Sequence, residues 1–160
     1  CFYWKSRMTP AIDAAKKAGI HFRVKEYEHS PTAESFGLEA AEKLGLSREQ
    51  VFKTLIVTDG KNLYVAVLPV SNQLNLKLMA KALGLKKIML ADKRQVAAST
   101  GYVLGGVSPI GQKKSLPTII DSSAQNLGSI NVSAGRRGLE IELSAQDLQR
   151  LISAKFVDIS

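Results

Sequence analysis

Apolar and polar residues alternate along this chain with two periods, one typical of helices and one typical of strands. Apolar residues three or four apart, bounded by capping residues and glycines, predict helices at 10–18, 35–44, 75–83 and 93–99, and another that begins after Ser144. Runs rich in β-branched or aromatic residues predict strands at 21–27, 51–57, 63–68, 87–90, 118–120, 129–132 and 139–143. The two kinds of element interleave, which predicts an α/β fold.

Turn and capping residues define several boundaries. Thr9 is placed to cap the first helix and Gly19 to end it. The pair Asp59-Gly60 between two strand patterns is a strong hairpin signal. Ser144 is followed three residues later by Asp147, an arrangement similar to a capping box. Because some strands are joined by a hairpin and others by helices, we expect a mixed sheet in a single domain.

The composition is that of an ordinary globular domain. The chain has 160 residues, of which 45% are hydrophobic and 22% charged, and this excludes disordered and fibrous proteins. Its longest apolar runs are far shorter than the ~20 residues of a membrane span, and no signal-peptide pattern is present. Cys1 is the only cysteine, so no internal disulfide can form. We therefore expect a soluble, cytoplasmic protein that does not bind a membrane.

The first seven residues differ from the rest of the chain. They contain the only Trp and the only Cys and follow neither a helix nor a strand period, whereas Met8 reads as a plausible native start. We interpret residues 1–7 as an extension and assign the domain to residues 8–160.

Positive charge is concentrated in the middle of the chain. The net charge is +8, but residues 61–139 contain 11 basic and 2 acidic residues, whereas residues 1–60 contain 9 and 8 and residues 140–160 contain 2 and 4. Such an excess favours a polyanionic partner such as a nucleic acid, because lysine and arginine displace counterions from phosphates. A basic solvated surface is the alternative, and charge does not distinguish RNA from DNA.

Several common active-site chemistries do not fit the sequence. With two histidines and one cysteine, no structural zinc site is expected, and we predict no metal and no cofactor. Residues 106–111 have the glycine spacing of a phosphate-binding P-loop, but Gln112 occupies the lysine position. Ser108 lacks the second glycine of a hydrolase nucleophile elbow. No pair of nucleophile and base can be assembled from the sequence.

Three segments carry residues that folding alone does not explain. Lys53 interrupts an apolar strand, where it is either an edge lysine in water or an ammonium group at the mouth of a cleft. The segment 99–111 contains four glycines and a proline, which suits either close approach of backbone to a ligand or an irregular loop. The segment 132–138 ends a strand with Arg136 and Arg137, which either contact phosphate or form an exposed basic turn.

At these segments together the sequence resembles the YbaK/EbsC family, bacterial Cys-tRNA(Pro)/Cys-tRNA(Cys) deacylases related to the editing domain of prolyl-tRNA synthetase. The resemblance extends from residue 8 nearly to residue 159, and its motifs are Tyr27-Glu28-His29, Phe36-Gly37, Phe52-Lys53-Thr54-Leu55, Ser99-Thr100-Gly101-Tyr102, 105–114 and Val132-Ser133. It implies one α/β domain with a mixed, partly barrel-like sheet surrounded by helices.

The resemblance also implies a function and a set of site residues. The function is trans-editing, in which the thiol of a cysteine wrongly attached to tRNA(Pro) attacks its own ester and leaves as a thiolactone. The implied catalytic residues are Lys53 and Tyr27. Substrate contacts are implied for Thr54, Gly105, Gly106, Ser108, Pro109 and Ser133, and we add tRNA-phosphate contacts for Lys113, Lys114, Arg136 and Arg137. The implied partners are the acceptor end of tRNA(Pro) and prolyl-tRNA synthetase.

Two alternatives remain open at this point. The first is a deacylase that removes another mischarged amino acid, such as alanine, by attack of water. The second is a module without activity that binds tRNA, a synthetase or nucleic acid in general.

Overall fold

The computed structural model describes residues 8–32 and 35–160, so the extension assigned to residues 1–7 lies outside the described residues. The helices are α1 (Pro10–Ala18), α2 (Phe36–Lys43), α3 (Leu76–Leu83), α4 (Lys93–Thr100) and α5 (Ala145–Leu151). The strands are β1 (Phe22–Glu26), β2 (Phe52–Thr58), β3 (Leu63–Pro69), β4 (Met89–Leu90), β5 (Thr118–Asp121), β6 (Ile130–Arg136), β7 (Leu139–Leu143) and β8 (Lys155–Val157). No helix in the described ranges has the length and apolar character that crossing a bilayer requires.

The strands form two sheets. In the smaller sheet the order is β1-β7-β6 and both pairs are antiparallel. In the larger sheet the order is β4-β2-β3-β5-β8, with antiparallel pairing around β2 and parallel pairing around β5. A parallel bridge between Val51 and Asn131 joins the sheets, and the Asn131 N–H donates to the Gln50 carbonyl at 2.9 Å. The predicted mixed sheet is confirmed, and it consists of two parts that meet at this bridge.

Alternation of side chains along the strands builds the core. Val65 and Val67 of β3 face Val132 and Ile141 of the smaller sheet in one apolar cluster, which also holds residues of α1 and α5. The opposite face of the larger sheet packs against α3 through Leu68 and other buried residues. A third cluster places α2 over the junction of the two sheets. Each fully buried aliphatic side chain contributes about 1.5–3 kcal/mol, and together these clusters fix the ends of β2, β6 and β7 that surround the site.

Most predicted boundaries are confirmed within one or two residues, and the differences have local causes. Thr9 accepts a hydrogen bond from the Ile12 N–H, as a cap should, and Gly19 ends α1 with a φ of 69°. Ser144 caps α5 through the Asp147 N–H, but the reciprocal capping box is found at Asp92 instead. The predicted strand at 87–90 shortens to two residues. Strand β6 is longer than predicted, because it continues past a bulge to Arg136.

Candidate active site

A cavity of about 290 Å³ lies where the two sheets meet. Its wall is built from the segment after β1, from β2, from the facing ends of β6 and β7, from the start of α2 and from the glycine-rich loop after α4, residues 101–114. The lining residues are Tyr27, Ser35, Phe36, Gly37, Phe52, Lys53, Thr54, Leu55, Leu104, Gly105, Val107, Ser133 and Glu140. The fold therefore brings together five of the residues that the sequence singles out, namely Tyr27, Lys53, Thr54, Gly105 and Ser133.

Lys53 presents a cation to this cavity. It lies on β2 opposite Leu68 of β3, on the strand face that it shares with Leu55 and Val57. Val57 is buried against α3, whereas Lys53 lies at the other end of the strand and lines the cavity. Burial lowers the pKa of the Lys53 ammonium group, and no ion pair with a residue in the described ranges opposes this. The Lys53 charge is thus available to a ligand.

Tyr27 and Glu140 contribute two acidic groups to the wall. The Tyr27 N–H donates to the Gly138 carbonyl at 2.9 Å, which fixes Tyr27 just beyond β1. Burial, with a further contribution from the Glu140 carboxylate, raises the pKa of Tyr27 to about 12. Glu140 is only 6% exposed, and burial raises its pKa to about 8. At neutral pH both groups therefore keep their protons and can donate hydrogen bonds.

Thr54 and Ser133 add two hydroxyl groups. Thr54 Oγ1 is buried and has no hydrogen-bond partner among the described residues, which is costly unless a ligand or water supplies one. Ser133 pairs with Glu140 across β6 and β7, and its Oγ accepts a hydrogen bond from the Gly135 N–H at 3.2 Å. The bulge that follows Ser133 lets β6 bend at the cavity. Both hydroxyls are therefore placed to meet a polar ligand.

The glycine-rich loop closes one side of the cavity through Gly105. Its φ of +87° suits glycine, and a Cβ at this position would lie 2.6 Å from Arg137 Nε and 2.9 Å from a ring carbon of Phe36. The absence of a side chain thus lets the loop approach α2 and the turn between β6 and β7.

The structure does not bring three other loop residues into the cavity wall. A Cβ on Gly106 would lie 2.8 Å from the Arg136 Cα, so this glycine permits close backbone packing. Ser108 is 0% exposed, and its Oγ accepts a hydrogen bond from the Ile110 N–H at 3.2 Å. Pro109 is buried beside it. In the structure these residues stabilise the loop, and their contact with substrate stays a prediction.

The four basic residues assigned to tRNA phosphate occupy different surroundings. Lys113 and Lys114 are exposed, and their backbone N–H groups donate to Thr100 and Ser99 at 2.9 Å, which fixes them beside the end of α4. Arg136 is half-buried, and its Nε has no partner among the described residues. Arg137 donates through Nη2 to the Leu104 carbonyl at 3.0 Å. The two lysines fit a role at the surface best.

The start of α2 is held rigidly next to the cavity. Ser35 caps the helix through the Leu38 N–H, and Gly37 lets it approach Val70, the residue after β3, because a Cβ there would overlap a Val70 methyl group. The Phe36 ring lies 5.8 Å from the His29 ring, measured between centroids. These contacts fix the Phe36 ring as part of the cavity wall.

His29 is in turn held by Glu39 of α2. The Glu39 carboxylate accepts hydrogen bonds from His29 Nδ1 at 2.8 Å, the Ser30 N–H at 2.7 Å and Lys43 Nζ at 3.1 Å. Burial alone raises the pKa of Glu39, but these donors outweigh it and lower the pKa to about 2. The charged Glu39 therefore anchors the segment before α2 to the helix.

The profile of the aminoacyl-tRNA editing domain matches residues 29–151, which include most of the cavity wall. The chain belongs to the aminoacyl-tRNA editing domain family. The fold and the family expected from the sequence are both confirmed.

Relatives within this editing family include free-standing proteins and parts of synthetases. EbsC of Enterococcus faecalis, named as a candidate Cys-tRNA(Pro)/Cys-tRNA(Cys) deacylase, is 41% identical over 138 residues, which are 85% of this chain and 84% of EbsC. A proline–tRNA ligase of Shouchella clausii is 30% identical over 100 residues, which are 62% of this chain and 18% of the ligase. The chain therefore matches most of EbsC and a small part of the ligase.

Solved structures of the same shape support the editing-domain fold. The crystal structure of hypothetical protein APE2540 has a TM-score of 0.84 at 27% identity and covers 94% of this chain and 99% of that one. A structure titled as a candidate trans-editing enzyme for prolyl-tRNA synthetase has a TM-score of 0.84 at 24% identity, with 94% coverage of both chains. These likenesses establish the fold.

Sequence reasoning assigned no site role to Glu140, Phe36 and Ser35, which line this editing-domain cavity. Glu140 alternates with apolar neighbours in β7 in the same way as Glu142, so nothing local distinguishes the buried glutamate from the half-buried one. Phe36 belongs to one of the family motifs, but the motif alone implies no role for it. The sequence pattern predicts only that a helix begins at Ser35, and the structure confirms that Ser35 caps α2.

Proposed function

We propose that this protein is an aminoacyl-tRNA deacylase that releases cysteine from mischarged Cys-tRNA(Pro). The observation that carries the proposal is the cavity in which Lys53, Thr54 and Glu140 face one space of about 290 Å³. A pocket of this size, near the lower end for ligand sites, accommodates an aminoacyl group with part of the terminal nucleoside. The 41% identity to EbsC, along most of both chains, supports the same activity.

The nucleophile in this proposal is the thiol of the substrate. The lining residues of the described ranges include no cysteine and no histidine, so the serine and threonine hydroxyls there have no imidazole base. In the proposed reaction the cysteinyl thiol loses its proton and its sulfur bonds to the ester carbonyl carbon. The bond from that carbon to the ribose oxygen then breaks, and this oxygen takes up a proton. The products are a thiolactone and tRNA with a free terminal hydroxyl.

The chain contributes positioning and electrostatics in this reaction. Lys53 is assigned to the negative charge of the substrate, at the terminal phosphate and at the carbonyl oxygen as the sulfur attacks. Tyr27 keeps its phenolic proton, because its pKa is raised to about 12, and is assigned to donate a hydrogen bond to the aminoacyl group of the substrate. Thr54 Oγ1 gains the partner that it lacks in the protein alone. Preorganised donors of this kind reduce a barrier by several kcal/mol.

Glu140 is assigned to the α-amino group of the aminoacyl ester. Its pKa of about 8 results from burial without a compensating cation. An ammonium group at hydrogen-bond distance reverses this effect, because a nearby positive charge favours the carboxylate. The glutamate would therefore ionise as the substrate binds and orient the amino group so that the thiol faces the carbonyl.

The proposed partners are the acceptor end of tRNA(Pro) and prolyl-tRNA synthetase in the cytoplasm. The exposed Lys113 and Lys114, at the end of the glycine-rich loop, suit the phosphates of an acceptor stem. A domain of this size reaches little of a tRNA beyond that end. The match to part of a proline–tRNA ligase supports a role in editing the product of that synthetase. In a complex, the synthetase would select the tRNA.

Removal of the Lys53 ammonium group tests the proposal. We expect Lys53→Ala to reduce the rate of Cys-tRNA(Pro) deacylation by at least about 100-fold, measured as loss of radiolabelled aminoacyl ester. Lys61→Ala is the matched control, because Lys61 is an exposed lysine in the turn between β2 and β3. It should deacylate at the wild-type rate. If wild-type protein binds the tRNA but leaves the ester intact, the chain is a binding module and the proposal is wrong.

A further inference from the structure

The tip of the glycine-rich loop, residues 103–106, exposes its two apolar side chains although the base of the loop is firmly bonded. Val103 and Leu104 are 67% and 46% exposed, and the Gly106 N–H donates to the Val103 carbonyl at 2.9 Å to form a tight turn. At the base, by contrast, Tyr102 is buried and its hydroxyl donates to the Ile110 carbonyl at 2.6 Å. The position of the loop tip thus depends on contacts with other elements.

Arg137 makes two such contacts. Its Nη2 donates to the Leu104 carbonyl at 3.0 Å, and its guanidinium carbon lies 4.4 Å from the centroid of the Phe36 ring. No other side chain in the described ranges forms a hydrogen bond with residues 103–106. Gly105 completes the arrangement, because only a residue without a side chain fits between Arg137 Nε and the Phe36 ring.

We infer that Arg137 is a positioning residue that fastens the loop tip to the start of α2 and thereby sets the shape of the active-site cavity. Leu104, Gly105 and Phe36, which its side chain touches or approaches, all line that cavity. The part of this inference that concerns deacylation rests on the proposed function. It also changes the expected role of Arg137, whose guanidinium group holds protein rather than tRNA phosphate.

The chemistry of the contact requires arginine. A guanidinium group is planar, so it stacks on an aromatic ring with one face while an edge N–H donates to a carbonyl. A lysine keeps the positive charge but has no plane to stack. An arginine that met phosphate through its charge alone would be replaced by lysine with little loss, whereas an arginine that stacks on Phe36 and fastens the loop would not.

The turn that carries Arg137 has a second connection to the site. The neighbouring Gly138 carbonyl accepts the hydrogen bond from the Tyr27 N–H, and Gly138 has a φ of +85°. This connection uses the backbone, so substitution of the Arg137 side chain leaves it in place. The loop tip can therefore be released without moving Tyr27.

The test compares Arg137→Lys, Arg137→Ala and the control Arg150→Ala, which removes an exposed arginine paired with Asp147 on α5. Hydrogen–deuterium exchange of residues 103–106 reports on the loop without any substrate. We expect exchange to become at least about tenfold faster in both Arg137 variants and to remain unchanged in Arg150→Ala. Unchanged exchange in Arg137→Ala would overturn the inference, whether or not the protein deacylates tRNA.

Deacylation and tRNA binding give the second readout. For both Arg137 variants we expect kcat to fall about 10- to 100-fold, while the Kd for tRNA and its salt dependence stay at the wild-type values. A weaker Kd with a shallower salt dependence in Arg137→Ala, and full recovery in Arg137→Lys, would instead identify a phosphate contact and contradict the inference. If neither the wild-type protein nor any variant deacylates the tRNA, the proposed function is wrong, and the exchange result still decides whether Arg137 holds the loop.

Discussion

Glu140 and Glu142 lie two residues apart on the same face of β7, but their pKa values shift in opposite directions. Burial raises the pKa of Glu140 to about 8. A hydrogen bond from Ser129, together with the charge of Lys25, lowers the pKa of Glu142 in spite of partial burial. The difference arises because Glu140 is 6% exposed at the cavity, whereas Glu142 is half-buried and has Ser129 and Lys25 as partners.

This difference predicts a pH-dependent gain in stability for Glu140→Gln. The ordinary pKa of 4.5 rises to about 8 in the folded protein, so between these values the folded state holds a proton that the unfolded chain has lost. The unfolding free energy of the wild type therefore decreases as pH rises through this interval. Glutamine cannot ionise. We expect Glu140→Gln to match the wild type near pH 5 and to be more stable by about 2–4 kcal/mol at pH 9, measured by urea unfolding.

Glu142→Gln is the matched control for this experiment. Its carboxyl group has a lowered pKa, so its replacement should give no gain at pH 9. A Glu140→Gln variant that unfolds like the wild type at both pH values would contradict the burial of an unpaired carboxyl group at the site.

At the scale of single residues, the sequence reveals a site residue only when that residue breaks a local pattern. Lys53 could be found because a charge in an apolar strand breaks a local pattern. Glu140 obeys its local pattern, and only the packing of distant segments makes it unusual. The family resemblance implies a substrate contact for Ser108, but in the structure its hydroxyl accepts a hydrogen bond from the Ile110 N–H and Ser108 is not among the lining residues of the cavity.

At the scale of elements, local signals predicted the five α-helices and the β2–β3 hairpin but missed the last strand. The hairpin of β2 and β3 forms as Asp59-Gly60 indicates, with Asp59 accepting hydrogen bonds from the N–H groups of Lys61 and Asn62. Strand β8 was not predicted. It has three residues and pairs in parallel with β5, which lies more than 30 residues earlier, so no turn signal marks it.

The junction between α1 and the end of the glycine-rich loop gives a prediction for Gly111. Its φ is +68°, and a Cβ would lie 2.6 Å from the Pro10 carbonyl oxygen at the start of α1. We expect Gly111→Ala to lower the unfolding free energy by about 2–4 kcal/mol, because strain at positive φ adds to a clash with backbone. Urea unfolding at neutral pH measures the change.

Gly128→Ala is the control for this substitution. A Cβ on Gly128 meets nothing within 4 Å and its φ is not positive, so the change should stay within about 0.5 kcal/mol. Equal effects of the two alanines would show that the loop does not pack on α1 as described.

At the scale of the whole molecule, most of the basic residues in the middle of the sequence lie on α3, around β4 and α4 and at the end of the glycine-rich loop, and Arg136 and Arg137 lie closer to the cavity at the junction of the sheets. Charge alone predicted a polyanionic partner but not its kind. The resemblance of ordered motifs predicted the family, which the match over residues 29–151 confirms. The shape of the cavity could not be predicted, because it depends on five segments that meet only in the folded chain.

The most direct test of the central claim compares two esters that differ by one atom, Cys-tRNA(Pro) and Ser-tRNA(Pro), in single-turnover deacylation by the wild-type protein. Serine supplies a hydroxyl where cysteine supplies a thiol, and a hydroxyl is far less nucleophilic at neutral pH. We predict rapid loss of the cysteinyl ester, with the seryl ester stable at the rate of buffer alone. Loss of both esters at similar rates would mean that water attacks the carbonyl, and it would contradict a reaction that depends on the substrate thiol.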